Sequence, residues 1–184
     1  MFHNSEAPMP IPQPISPSHA GVLALSILRG PQAKLRAIAK DRATDGDKLI
    51  KAIMTTAKSA HFDRIDVVSE IQKGLPGNTV GLLEGLLAVT TKELSGIIDR
   101  EDKTVRSWVQ RKLLDQTASE KLFRLLKVFV AACLMFEDAN DAIVYLKTVS
   151  PALGGKRPID LLANGEGEAL VLYNLAQLEY GQPF

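Results

Sequence analysis

Apolar residues recur at helical spacing along most of the chain, and no stretch shows the sustained alternation of a half-buried strand. The pattern predicts helices over about 18–29, 31–41, 46–60 and 63–73, then a break at Gly74-Leu75-Pro76-Gly77-Asn78. That cluster of glycine, proline and asparagine interrupts helical continuity and marks the expected domain boundary. Further helices are predicted over 79–88, 91–99 and 102–113. Thr90-x-x-Glu93 and Thr117-x-x-Glu120 both read as capping boxes, in which hydroxyl and carboxylate satisfy free amides of a first turn. After Thr117, the residues Leu122, Leu126, Phe129, Cys133 and Phe136 alternate in steps of four and three, which predicts one apolar seam and the central core helix. A helix over 139–149 is stopped by Pro151, and an apolar helix from about 166 ends at Tyr180-Gly181. The expected fold is all-α.

The first 18 residues hold five of the ten prolines, so they are expected to form an extended arm. The expected organisation is a Pro-rich arm over 1–18 and a helical extension over 19–75. A domain of short helices with its core helix follows over 76–138, and a small helical domain over 139–184.

With 184 residues, 46% of them hydrophobic, the chain can bury a substantial core. Its single cysteine, Cys133, rules out an intrachain disulfide and, lying on the apolar seam, reads as a small buried hydrophobe. Apolar runs at 20–28 and 128–136 are far shorter than the roughly 20 residues that span a bilayer. The expectation is therefore a cytoplasmic protein with no membrane partner. A net charge of +1 conceals an asymmetry: residues 29–51 carry seven basic against three acidic side chains, and residues 134–184 carry three against seven. An acidic end suits a basic protein partner and a basic front adds to nucleic-acid affinity, although solvated helix faces would give the same counts.

Catalytic chemistry finds little support. His3, His19 and His61 are scattered, none forms an i,i+4 metal pair, and one cysteine cannot complete a zinc site. Gly155-Lys156 suggests a phosphate loop, but Arg157 follows where Ser or Thr is needed and Ser150 stands where the first glycine should be. The chain is expected to be no enzyme and to need no cofactor or metal.

Residues 90–98, Thr-Thr-Lys-Glu-Leu-Ser-Gly-Ile-Ile, followed by Thr104-Val105-Arg106-Ser107-Trp108, resemble Xre/Cro-type helix-turn-helix domains. Such domains read DNA with the second helix of the pair. The resemblance makes Leu94, Ile98, Val105 and Trp108 core positions. It points to Lys103, Thr104, Arg106, Ser107 and Arg111 as the DNA-binding set. Periodicity places Val105, Trp108 and Val109 on one face, and residues 102–113 hold four cations against Asp102 alone. Asp99 stands at a turn position that is small in the family, and Asp102 can cap the next helix.

The last quarter resembles the toxin-binding domain of Xre/MbcA/ParS-type antitoxins. The matching residues are Leu153-Gly154-Gly155, Pro158, Leu161, Leu162, Gly167, Val171, Leu175 and Gly181, with Tyr145-Leu146 where the family has Trp-Leu. The family's Pro-Asn is altered to Pro151-Ala152. Gly154 and Gly155 permit backbone angles closed to other residues, Pro158 fits a first helical turn, and Asn164-Gly165 is expected to end that helix. The final helix has only a narrow polar stripe, at Asn174 and Gln177, so it is either sandwiched in its own domain or covered by a partner.

What the resemblance implies is an antitoxin whose terminal region plugs the cleft of a cognate NAD-consuming RES-domain toxin. Its helix-turn-helix would repress the shared operon as a dimer or larger complex bound to operator DNA. The toxin-binding set would be Leu153, Gly154, Gly155, Lys156, Arg157, Glu168, Val171, Leu175, Tyr180, Gly181 and Phe184. A stand-alone helix-turn-helix regulator whose terminal helices only dimerise is the alternative, and a protein-interaction scaffold is the third. A cut at Glu166 is expected to leave the helix-turn-helix and the seam folded.

Overall fold

The computed structural model describes residues 17–29, 48, 51, 52, 55 and 64–179. The expected arm over 1–18, whose last two residues fall in a helix, and the expected helices over 31–41 and 46–60 lie mainly on residues outside this set, as do Tyr180, Gly181 and Phe184. Among the described residues the regular structure is helical, with one isolated bridge between Ser150 and Lys156, so the all-α expectation is met. The helices are α1 (Pro17–Arg29), α2 (Arg64–Lys73), α3 (Thr79–Leu87), α4 (Thr91–Ile97) and α5 (Asp102–Trp108). They continue with α6 (Gln116–Phe136), α7 (Ala139–Lys147), the 3-10 turns η1 (Pro151–Leu153) and η2 (Pro158–Leu161), and α8 (Gly165–Glu179).

Helix α6 is the hub, packing against α1, α2, α3, α7 and α8. Its expected seam is buried at Leu122, Leu126, Phe129 and Cys133, but Leu125, Val128, Val130 and Ala132 are buried too. An apolar surface on more than one side is what a helix surrounded by others needs, and each large side chain so buried contributes about 1.5–3 kcal/mol. Phe136, at the end of the seam, is half-buried beside the Tyr145 ring at 5.4 Å between centroids. The cap of α6 differs from expectation. Asp115, not Thr117, is the N-cap, accepting from the Ala118 amide at 2.9 Å, because the helix starts one residue before Thr117.

Helix α5 ends at Trp108, well short of residue 113. The chain beyond it folds back on the segment after α2: the Gly77 amide donates to the Arg111 carbonyl at 3.2 Å and the Leu114 amide to the Leu75 carbonyl at 2.8 Å. Those pairings use backbone groups that a longer helix would have needed. Leu75 is itself buried, and its amide donates to the Ser119 hydroxyl at 2.8 Å. The break at 74–78 therefore interrupts the helices as expected, yet it is pinned to the core and is no loose linker.

A second correction concerns Asn164-Gly165. The pair does not end η2 through a left-handed residue; it starts α8, with the Asn164 side-chain oxygen accepting from the Gly167 amide at 2.9 Å. Gly167 is required by proximity, since a Cβ there would meet the Leu161 carbonyl oxygen at 1.8 Å.

Candidate functional site: a helix pair and a terminal domain

The helix pair α4–α5 is built by local rules. Thr90 caps α4 with a complete capping box: its hydroxyl accepts from the Glu93 amide at 3.2 Å and its amide donates to the Glu93 carboxylate at 2.7 Å. Leu94, Ile98, Val105 and Trp108 are buried, as the resemblance implied, and α4 and α5 pack on each other. Between them Asp99 takes a left-handed φ of 51°, tolerated by aspartate at some cost, where the family has a small residue. Val109 does not join the buried face; it is 43% exposed because it lies past the end of the helix.

Of the residues proposed to meet DNA, Lys103, Arg106 and Ser107 are exposed on α5 and Thr104 is half-buried. Arg106 pairs with Asp102 one turn earlier at 2.9 Å, and the Ser107 hydroxyl donates to the Thr104 carbonyl at 2.7 Å. Asp102 is the first residue of α5 rather than its cap, a place taken by Glu101. Arg111 and Lys112 are exposed but belong to the irregular segment after α5, so they do not lie on a continuous cationic helix. Lys121 of α6 donates to the Ile98 carbonyl at 2.6 Å and so holds the end of α4. Burial pushes its amine below the ordinary lysine range, and the Arg100 charge adds to the shift.

The terminal domain begins with Asp138, whose carboxylate accepts from the Asn140 and Asp141 amides and caps α7. After α7 the chain makes a small closed loop: Ser150 and Lys156 bridge, with the Ser150 amide donating to the Lys156 carbonyl at 3.0 Å. Gly154 and Gly155 turn it with φ of 66° and 73°, the left-handed angles expected of them. Leu153, Pro158 and Ile159 anchor the loop inside, while Gly154, Gly155, Lys156 and Arg157 stay exposed. Arg157 makes a bidentate pair with Asp160, at 2.7 and 2.6 Å.

Helix α8 packs on α6 and on η1 and η2, with Val171, Leu172 and Leu175 buried. Glu168 in its first turn pairs with Lys127 and with Arg124 at 3.3 Å, and Arg124 also donates to the Leu162 and Ala163 carbonyls. Three charges with little exposure thus tie α8 to α6. Asn174, half of the narrow polar stripe, is only 4% exposed and accepts a hydrogen bond from the Tyr145 hydroxyl at 2.8 Å. Burial pushes the Tyr145 phenol well above the ordinary tyrosine range, which keeps it a donor. The outward face of α8 is apolar instead, with Leu170 45% and Tyr173 63% exposed.

Among the described residues of the toxin-binding set, then, the structure separates two groups. Leu153, Val171 and Leu175 are buried and Glu168 is spent on α6, so these four shape the domain. Gly154, Gly155, Lys156 and Arg157 are presented to solvent. Leu170 and Tyr173 were absent from that set. An apolar side chain at every turn on both faces leaves a helical wheel unable to tell inside from outside.

Helices packed around α6, among them the α4–α5 pair and the looped α7–α8 unit that touches it, make up a small all-helical protein. Residues 131–181 match the antitoxin Xre/MbcA/ParS C-terminal toxin-binding domain. The chain is also similar to the "Prs ADP-ribosylating antitoxin" of Sphingobium sp. (strain YBL2), at 28% identity over 127 residues, covering 64% of this chain and 80% of that one. Residues 131–181 are thus of the toxin-binding kind that closes Xre/MbcA/ParS-type antitoxins, and both comparisons point to the antitoxin half of a toxin–antitoxin system. The family match begins inside α6, so the hub helix serves the terminal domain as well as the helix-turn-helix. Among the described residues no helix is long and apolar enough to cross a membrane.

Proposed function

We propose that this antitoxin neutralises a RES-domain toxin by occupying its NAD cleft with the terminal domain, and that α5 places the protein on operator DNA to repress its own operon. The observation that carries the first part is the family match over 131–181 together with the outward face of α8. A helix that buries an asparagine and exposes Leu170 and Tyr173 has its apolar surface where a partner can cover it. The neighbouring Lys156-Arg157 loop and the acidic balance of residues 134–184 supply charge for orientation. A cleft that accepts a dinucleotide with two phosphates is expected to be basic, which suits an acidic occupant.

The DNA part rests on the exposed Lys103, Arg106 and Ser107 of α5, with Arg111 beside the helix. Symmetric operators are read by pairs of such helices, so the working form is a homodimer or a larger toxin–antitoxin assembly. The family points to a regulatory role for this chain rather than to catalysis.

The test is co-expression with the toxin encoded beside it. Leu170→Asp with Tyr173→Asp places charge on exposed positions, so the protein should fold as before yet bind toxin at least about 100-fold more weakly, a loss near 3 kcal/mol. Cells carrying the double variant should no longer be rescued. Full rescue, with unchanged complex on gel filtration, would move the toxin interface elsewhere. A loss of self-association with toxin binding intact would assign this face to a second copy.

A further inference from the structure

The terminal domain does more than sit beside the helix-turn-helix. Lys147, the last residue of α7, donates through its ammonium to the Ala88 carbonyl at 2.6 Å. Ala88 is the left-handed C-cap of α3, at φ 50°, and only Val89 and Thr90 separate it from α4. A lysine at that place satisfies a carbonyl which the end of a helix leaves open and complements the negative end of the helix dipole. A cavity of about 340 Å³ lies alongside, and Lys92, Glu93 and Gly96 of α4 face Lys147, Arg157 and Asp160 of the terminal domain across it. The hydrogen bonds from Thr90 hold the Glu93 carboxyl below the usual range, and the Lys147 and Arg157 charges act in the same direction. Nothing in the toxin-binding role requires these contacts.

We propose that Lys147 and Arg157 are positioning residues for the α4–α5 pair: the terminal domain holds α4 through Ala88 and Glu93, so a group docked on the Lys156-Arg157 loop alters the placement of the helices assigned to DNA. The clause about DNA rests on the reading above; the positioning itself does not. Arg157 belongs to both sides of the junction. Its guanidinium is paired with Asp160, and an acidic group of a partner that draws Arg157 away leaves Asp160 facing Glu93 with one cation fewer between them. Like charges brought together in a partly enclosed cleft repel, and the repulsion reaches α4 through Glu93.

Hydrogen exchange on the full chain, with no toxin or DNA present, tests the positioning. Lys147→Met and Arg157→Gln should each speed exchange of the amides over residues 89–98 by about two- to five-fold, the size of a charge at a helix terminus, and the double variant should do so by more. Amides of Val128–Cys133 in α6 should keep their protection. Lys147→Arg, which retains a donor and a charge, should restore the wild-type rates, an outcome that mere side-chain bulk would not predict. Unchanged exchange at 89–98 in the double variant overturns the proposal, and so does a uniform rise over the whole chain. Gel retardation of the fragment upstream of the gene completes the test. If wild type retards it and the double variant does so less, the positioning reaches DNA. If wild type does not retard it, the DNA reading falls while the exchange result still decides the positioning.

Discussion

Helices α5 and α8 are the two elements assigned to meet partners, and they are built in opposite senses. Helix α5 buries Val105 and Trp108 and turns Lys103, Arg106 and Ser107 outward, so its working face is polar and its anchoring face apolar. Helix α8 buries Asn174 among Val171, Leu172 and Leu175 and turns Leu170 and Tyr173 outward. A polyanion is met by charges that stay hydrated until binding, whereas a protein cleft is met by apolar surface that gains by leaving water. On the proposed reading, partner chemistry is written on the outward face. The anchoring differs as well: α5 is seven residues long and held by two side chains, while α8 is fifteen residues long and bound into the hub.

The severest way to break this comparison is to remove α8. Ending the chain before Glu166 removes the buried Val171, Leu172 and Leu175, uncovers the surfaces of α6, η1 and η2 that α8 packs on, and strands Arg124 and Lys127 without Glu168. At about 1.5–3 kcal/mol for each large buried side chain, the loss is on the order of 5–8 kcal/mol, comparable with the whole stability of many domains. The expected result is loss of the cooperative thermal transition and, with it, of any DNA binding. This reverses the expectation that the helix-turn-helix and the seam fold alone. A truncated chain that still melts cooperatively near the wild-type temperature would show α8 to be an appendage.

Arg106→Glu probes the other helix. It removes one contact to a phosphate or base and places a negative charge against the backbone, so operator affinity should fall by at least about 10- to 100-fold. Its partner Asp102 is on the surface, where such i,i+4 pairs are worth about 0.3–0.5 kcal/mol, so the melting temperature should move by no more than about 2 °C. Toxin neutralisation should be retained, since α8 is untouched. Equal retardation of the promoter fragment by wild type and variant would leave α5 as scaffold only.

What the sequence revealed divides along the same line. Local signals were legible: the Thr90–Glu93 capping box, the glycine turn at 154–155, the buried Leu94, Ile98, Val105 and Trp108, and the seam of α6. Each is fixed by residues close together in the chain or by a simple period. What misled were features decided by distant partners. Helix α5 stops at Trp108 because Gly77 and Leu75 claim the backbone beyond it, and no pattern within 102–113 records that. The polar stripe at Asn174 does not tell inside from outside, because its partner, Tyr145, comes from another helix. Asn164 was read as an ending rather than a beginning, since asparagine before glycine serves both and only the Gly167 amide decides between them.

Tyr145→Phe sharpens the claim that the polar side chain α8 buries, Asn174, is held by a partner on α7. The variant keeps the ring beside Phe136 and deletes the hydroxyl, leaving the Asn174 oxygen without its donor. An acceptor stranded in the interior costs about 1–3 kcal/mol, or a fall of several degrees in melting temperature for a chain of this size. The same substitution in an outward tyrosine, Tyr173→Phe, should change stability by less than about 0.5 kcal/mol. If both variants melt alike, Asn174 does not depend on Tyr145 and its burial in α8 needs another partner.

The smallest effect is expected where polar groups meet at the surface, and it provides the scale for the buried pair. Glu70 of α2 pairs with Arg29 of α1 and with Lys73 at 3.2 Å, and these side chains are partly solvated. The hydrogen bond from Arg29 is the main reason its carboxyl is held below the ordinary value of 4.5, with Lys73 adding to it and burial opposing. A carboxyl whose affinity for protons is lowered by folding stabilises the folded state when ionised. Its contribution is therefore complete above the ordinary value and lost as the pH falls through the lower, folded one. For an exposed pair that contribution is about 0.2–1 kcal/mol after screening. Glu70→Gln should accordingly lower the melting temperature by no more than about 4 °C at pH 7 in low salt, and by less in high salt. Wild type and variant should converge as the medium is acidified below the ordinary carboxylate range. A difference that persists undiminished there would mean that Glu70 acts through packing between α1 and α2, not through its charge.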